Sequence, residues 1–156
     1  MTRIGVTGHQ NIPPEARAAV SRLARDALAE HPSLVAVSSL AAGADQIVAS
    51  AALAAGGALM LIVPCVHYRS TLSGDDLKRY DRLSAVAIDV ELLPFDQPSE
   101  EAFMAAGKRV VDVSEHVLAI WDGLPAAGYG GTADVVEYAR GLGREVTVIW
   151  PPGVAR

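Results

Sequence analysis

Short apolar runs alternate along this chain with longer segments whose apolar positions recur at helical spacing. The first pattern is typical of buried strands and the second of amphipathic helices. The predicted strands cover residues 3–7, 34–40, 58–64, 89–94, 116–121 and 145–150. The predicted helices cover a segment that starts at residues 13–15 and ends at residues 31–32, then residues 44–55, 76–85, 99–113 and 132–142.

This alternation predicts an α/β fold. Short connections between successive strands and helices favour a mostly parallel sheet of about six strands, doubly wound, with helices on both faces. The run "ALMLIVP" over Ala58–Pro64 is continuously apolar, which indicates a strand that is buried on both faces. Ser99 is placed to act as the N-cap of the helix that follows it. Since no linker or repeat interrupts the pattern, we expect a single domain over residues 1–156.

Charge and composition argue against several classes of function. The formal net charge is −5 and the pI is about 5.3, which argues against binding of nucleic acid through a basic surface. A single cysteine excludes an intrachain disulfide, and no spacing typical of a metal site is present. The chain has no apolar signal segment and no apolar run of membrane-spanning length, so we expect a cytoplasmic protein.

Three turns at the carboxyl ends of predicted strands have unusual sequences. They are "TGHQ" at Thr7–Gln10, "LAAGAD" at Leu40–Asp45 and the long segment Trp121–Thr132. Ligands of open α/β sheets bind at this edge, and helix N-termini there favour anions. A GxGxxG fingerprint and a GxxxxGK[ST] loop are both missing, so we expect neither an NAD site nor an ATPase mechanism, and no cofactor.

Two motifs resemble known families. The segment "VSSLAAGADQIVASAALAAG" at Val37–Gly56 resembles the SG-x-A-x-G-x-D segment of the DNA-processing protein A family. The segment "GYGGTADVVEYA" at Gly128–Ala139 resembles the PGGxGTxxE loop of the LOG family of phosphoribohydrolases. Both families belong to the SLOG superfamily. The resemblance implies a Rossmann-like domain, a nucleotide or nucleotide-derived ligand, and a homodimer.

The turns and motifs together give a set of candidate site residues. We expect the ligand to be bound by Gly8, His9, Gly43, Asp45, Asp122, Gly130, Gly131 and Thr132. Each has a structural alternative: the 130–132 turn could be only a tight turn, Asp45 could compensate a helix dipole, and His9 could hydrogen-bond within its loop. The predicted polar loop at 66–75 contains Tyr68 and Arg69, which either close over a ligand or stay solvated.

Departures from the families bear on catalysis. LOG-type hydrolases place a glutamate three residues after the loop threonine, and here that position is Val135. The DNA-processing family often has arginine where this chain has Ala42. A carboxylate from Asp122, Asp134 or Glu137 would have to replace the glutamate in an enzyme.

Three hypotheses follow from these departures. The first is a binding or sensor domain for a nucleotide-related molecule without turnover. The second is a phosphoribohydrolase or N-glycosidase that uses a non-standard carboxylate. The third is a DNA-handling protein, which the acidic charge argues against. The first is favoured here.

Overall fold

The computed structural model describes residues 1–125 and 131–155. Within them lies one six-stranded sheet with the order β4-β3-β2-β1-β5-β6, and every neighbouring pair is parallel. The strands are β1 (Thr2–Gly8), β2 (Leu34–Ser38), β3 (Ala58–Val63), β4 (Asp89–Leu92), β5 (His116–Ile120) and β6 (Glu145–Ile149). The predicted α/β class is therefore confirmed.

A helix lies between each pair of successive strands, as a parallel sheet requires. The helices are α1 (Arg17–Leu28), α2 (Ala44–Ala54), α3 (Gly74–Ala85), α4 (Glu100–Asp112) and α5 (Thr132–Gly141). Short 3₁₀ turns at Pro14–Ala16 and Tyr68–Thr71 precede α1 and α3. The predicted N-cap of α4 is confirmed, because the Ser99 hydroxyl accepts a hydrogen bond from the backbone N–H of Ala102 at 3.0 Å.

The helices cover both faces of the sheet. Alternate residues of each inner strand point to opposite faces, so Leu34 and Ala36 of β2 lie in the core that α1 and α2 cover. Val35 and Val37 lie in a second core, together with Ala106 and Val110 of α4. This double burial explains why β2 and β3 read as continuous apolar runs.

The strand order determines where a ligand can enter. The chain winds from β1 to β4 in one direction, returns, and adds β5 and β6 on the other side of β1. The sheet therefore reverses its winding between β1 and β5, and a crevice forms there at the carboxyl ends of the strands. Over the described residues, no helix is both long and apolar enough to cross a membrane.

Candidate functional site

A cleft of about 1000 Å³ opens at this reversal. Its floor is the end of β1 and the turn after it, from Val6 to Asn11. One wall comes from the α2 and α3 side and carries Asp45, Tyr68, Thr71, Ser73 and Asp76. The opposite wall comes from α4 and α5 and carries Phe103, Ala106, Gly107, Val110, Gly131, Thr132 and Val135.

The turn after β1 is hydrogen-bonded on one side to β5 and on the other to the N-terminus of α2. The backbone N–H of His9 donates to the carbonyl of Ile120 in β5, at 3.2 Å, and the His9 carbonyl accepts from the N–H of Ala44, at 3.1 Å. A Cβ on Gly8 would lie 2.5 Å from the Cβ of Ala44 and 2.8 Å from that of Ile120. Glycine at position 8 is therefore what allows the N-terminus of α2 to approach the end of β1.

The turn after β2 has an unusual backbone. Leu40 has a φ of +54° and Gly43 a φ of +81°, and residues other than glycine rarely adopt this region of backbone conformation. A Cβ on Gly43 would also overlap the carbonyl oxygen of Gln10. These two facts account for glycine at position 43, and Gly43 is not among the described residues that line the cleft.

Asp45 lies in the first turn of α2 and faces the cleft, although it is only 8% exposed. Its Oδ2 accepts a hydrogen bond from the N–H of Ala41 at 3.2 Å. Burial raises the pKa of Asp45 to about 7, against the smaller lowering effects of the hydrogen bonds from Ala41 and Ser38. The site therefore contains a carboxyl group that changes its charge near neutral pH.

Tyr68, which the sequence placed in a polar loop, is a buried part of the same wall. It is 4% exposed, and its ring makes edge contacts with Tyr80, at 5.8 Å between centroids, and Phe103, at 6.2 Å. Burial, and then the nearby Asp45, hold the pKa of Tyr68 well above its ordinary value, so the phenol stays protonated. Arg69 lies outside the cleft lining and forms a bidentate ion pair with Asp81 at 2.7 and 2.9 Å.

The third turn contributes Gly131 and Thr132 to the opposite wall. Gly131 is the N-cap of α5 with a φ of −73°, and Thr132 is the first residue of the helix and 7% exposed. The positive end of the α5 dipole therefore lies at the cleft. Gly130, the other predicted glycine of this turn, lies outside the described residues.

His9 and Asp122 lie close together, as two predicted site residues from different turns. The Nε2 of His9 is 3.2 Å from Oδ1 of Asp122 and 3.2 Å from the backbone nitrogen of Asp122. The edge of the Trp150 ring packs against the imidazole at 5.3 Å. His9 lines the cleft, whereas Asp122 is not among its described lining residues.

Val135 occupies the position where LOG-type hydrolases have glutamate, and it is a packed core residue. It is 3% exposed, and its Cγ2 would lie 2.6 Å from a Cβ on Gly107 of α4. The Val135 side chain fills the space between α4 and α5 that is left because Gly107 has no Cβ. The other proposed carboxylates on α5, Asp134 and Glu137, are not among the described lining residues.

The charges of the cleft are unusual for a phosphate site. Its described lining contains Asp45, Asp76 and His9 but neither lysine nor arginine. The described residues also contain no cluster of His, Cys, Asp or Glu that could hold a metal ion. An anion bound here would therefore rely on backbone N–H groups, hydroxyls and the dipoles of α2 and α5.

Sequence reasoning missed most of the wall that α4 provides. Phe103, Ala106, Gly107 and Val110 line the cleft, but they lie in an ordinary amphipathic helix pattern. One local signal was available. Glycine in a helix interior costs about 1 kcal/mol relative to alanine, so Gly107 indicated a close approach by another element.

No family profile matches the chain, and no curated protein matches it either. The chain is similar in structure to DNA processing protein A from Streptococcus pneumoniae, with a TM-score of 0.70 and 23% identity. That match covers 99% of this chain and 51% of the other. A second DNA processing protein A, from Helicobacter pylori and described by its single-stranded DNA binding mode, matches with a TM-score of 0.70 and 19% identity, over 94% of this chain and 64% of the other.

A molybdenum cofactor binding protein from the phototrophic bacterium Rippkaea orientalis is also similar, with a TM-score of 0.61 and 18% identity. This match covers 96% of this chain and 77% of the other. The chain thus spans about half to two thirds of the length of the DNA processing proteins. At these identities the likeness shows the fold alone, and it confirms that the chain has a Rossmann-like α/β fold.

Proposed function

We propose that this protein binds a phosphorylated, nucleotide-derived ligand in the cleft at the carboxyl edge of the sheet, and that it does so without turning the ligand over. The observation that carries this proposal is the convergence of the β1 turn and the N-termini of α2 and α5 on one cleft of about 1000 Å³. That volume lies at the upper end of what small-molecule sites use, roughly 300–1,000 Å³.

The phosphate subsite is the start of α5. Gly131 has no side chain to block an approach to the backbone, and Thr132 places a hydroxyl on the cleft wall. Within the described part of the chain that hydroxyl makes no hydrogen bond, so it is available to a phosphate oxygen. The α5 dipole adds a favourable interaction of about 0.3–1 kcal/mol with a negative charge.

The absence of turnover rests on Val135. A hydrolytic mechanism of the LOG type needs a carboxylate at this position on the cleft wall, and the side chain there is apolar and packed against Gly107. A valine can neither abstract a proton nor stabilise the positive charge that develops on a sugar ring.

One observation favours an enzyme instead. His9 lines the floor of the cleft and its Nε2 lies 3.2 Å from Oδ1 of Asp122, and a histidine next to a carboxylate is a common general base. The alternative function is therefore a phosphoribohydrolase or N-glycosidase in which Asp122, or Asp134 or Glu137 after a rearrangement, replaces the usual glutamate. Release of a free base from an incubated nucleotide would favour it.

The test is a thermal-shift screen over nucleoside phosphates, nucleotide sugars and cyclic nucleotides, followed by calorimetry of each ligand that stabilises the protein. A ligand at about 100 times its Kd adds about 2.7 kcal/mol to the free energy of unfolding. Gly131→Val should abolish binding, because a branched side chain would occupy the phosphate subsite. Since the φ of Gly131 is −73°, valine brings no left-handed strain there.

Gly141→Val is the matched control. Gly141 lies on the same helix, away from the cleft lining, and a Cβ there meets nothing within 4 Å. If Gly131→Val remains folded and binds as tightly as Gly141→Val, the α5 turn is structural and the proposed phosphate subsite is wrong.

A further inference from the structure

The two walls of the cleft differ in chemistry. The wall at α5 offers a helix N-terminus and a threonine hydroxyl, which suit an anion. The opposite wall offers the Asp45 carboxyl, the Tyr68 phenol and the hydroxyls of Thr71 and Ser73, followed by Asp76 at its outer end. The lining of that wall contains two carboxyl groups and no lysine or arginine, although Asp76 is paired with Arg79 of the same helix at 3.1 Å. The inner part of the wall, at Asp45 and Tyr68, therefore suits a neutral group that donates hydrogen bonds.

Asp45 has unused hydrogen-bonding capacity on this wall. A carboxylate offers about four acceptor positions. Apart from the contact with Ser38, one bond to Asp45 is formed, from the N–H of Ala41 at 3.2 Å. Ser38 accepts from the N–H of Leu40 at 2.9 Å, and its own O–H donates to Asp45. The remaining acceptor positions of Asp45 are open to a ligand in the cleft.

Tyr68 provides a second and independent observation. Its side chain is more than nine-tenths buried and lines the cleft, and Tyr80 and Phe103 hold the ring from the sides. Among the described residues, the Tyr68 hydroxyl has no hydrogen-bond partner. The hydroxyl oxygen is not one of the buried side-chain atoms that lack a partner, so it is accessible from the cleft and can bond with a ligand hydroxyl.

We propose that Asp45 and Tyr68 bind the sugar hydroxyls of the ligand, so that the cleft selects ribonucleotides over 2′-deoxyribonucleotides. This inference rests on the proposed function and adds the substrate class. A ribose cis-diol donates two hydrogen bonds, which match the open acceptor positions of Asp45, and its oxygens accept the proton of Tyr68. The phosphate then points across the cleft to Thr132.

The proposal has a consequence for pH. The ionised form of Asp45 is the better acceptor for a diol, so ribonucleotide binding should strengthen as pH rises through 7. The titratable groups that line the cleft together with Asp45 are His9 after β1, Tyr68 of the 3₁₀ turn and Asp76 of α3, and Asp76 is paired with Arg79 of the same helix at 3.1 Å. If this wall held the phosphate instead, binding would weaken over the same pH range, because two negative charges would oppose each other.

The experiment compares ribonucleoside 5′-monophosphates with their 2′-deoxy and 2′,3′-dideoxy counterparts by calorimetry between pH 6 and pH 8. We expect the deoxy compounds to bind about tenfold more weakly, as the loss of one hydrogen bond to a charged group predicts. Asp45→Asn and Tyr68→Phe should each reduce this preference, and Asp45→Asn should also remove the pH dependence. Asp26→Asn, at an exposed position on α1, and Tyr138→Phe, away from the cleft lining, are the matched controls.

The outcomes separate the two proposals. Equal binding of ribonucleotides and deoxyribonucleotides, or an unchanged preference in Asp45→Asn and Tyr68→Phe, would overturn this inference and leave the proposed function standing. If none of these monophosphates binds the wild-type protein although another ligand of the thermal-shift screen does, this inference is overturned and the proposed function stands. If no ligand of either set binds, the proposed function is wrong and the inference falls with it.

Discussion

Asp45→Asn should stabilise the protein at alkaline pH, because the wild-type carboxyl is buried. An unfolded aspartate has a pKa near 3.8, and burial raises the pKa of Asp45 to about 7 in the fold. Between these values the folded state binds a proton that the unfolded state does not. The free energy of unfolding therefore falls as pH rises through this range, and the stability present at acid pH is lost once Asp45 ionises.

The size of the effect follows from the shift. A pKa difference of about three units corresponds to about 4 kcal/mol at most, since one unit is worth about 1.4 kcal/mol. Asparagine keeps an oxygen that can accept from the N–H of Ala41, and it carries no charge to desolvate. We expect Asp45→Asn to match the wild type near pH 4 and to exceed it by roughly 2–4 kcal/mol at pH 8. That gain would raise Tm by roughly 5–10 °C.

The assay is urea or thermal unfolding of the wild type, Asp45→Asn and the exposed control Asp26→Asn at intervals from pH 4 to pH 8.5. The quantity of interest is the difference in unfolding free energy between variant and wild type, because other titrating groups cancel in it. A difference that is flat with pH would show that Asp45 is ionised and solvated in the fold, and the account of the cleft given above would be wrong.

Four further predictions test other parts of the structure. Gly107→Ala should destabilise the protein by about 1 kcal/mol, because overpacking against Val135 costs about 1–3 kcal/mol and exceeds the helix-propensity gain of about 1 kcal/mol. In a Val135→Ala background the same change should stabilise, and a urea double-mutant cycle measures the reversal. Ser99→Ala should cost about 1 kcal/mol by loss of the α4 N-cap, with Ser84→Ala as a control at a non-capping position; equal losses would contradict the cap. Chromatography of incubated AMP, GMP and CMP should show no release of base, and clear release would support the enzyme alternative. A gel shift at physiological salt should show no submicromolar binding of single-stranded DNA, because the chain carries a net charge of −5, and such binding would contradict that expectation.

Local patterns were sufficient for the order of the elements. Each strand and helix was predicted within a few residues of its observed bounds, because burial on one or both faces imposes its own periodicity on a segment. The carboxyl edge also followed from the sequence, since parallel strands joined by helices must all end on the same side. Ser99 could be assigned as a cap because its partner lies three residues away.

The chemistry of the cleft depended on contacts between distant segments. From the local sequence, Asp45 could either compensate the dipole of α2 or contact a ligand. Its raised pKa arises from burial, which only the assembled fold creates. Gly43 reads as part of an anion-binding motif, yet its positive φ and the nearby Gln10 carbonyl are what require glycine.

Tyr68 stood in a polar stretch, and it is buried because Tyr80 and Phe103 come from two other helices to enclose it. Hydrophobic periodicity shows which face of its own helix or strand a residue lies on. The identity of its neighbours, and so its pKa and its free hydrogen-bonding groups, is decided when the elements pack.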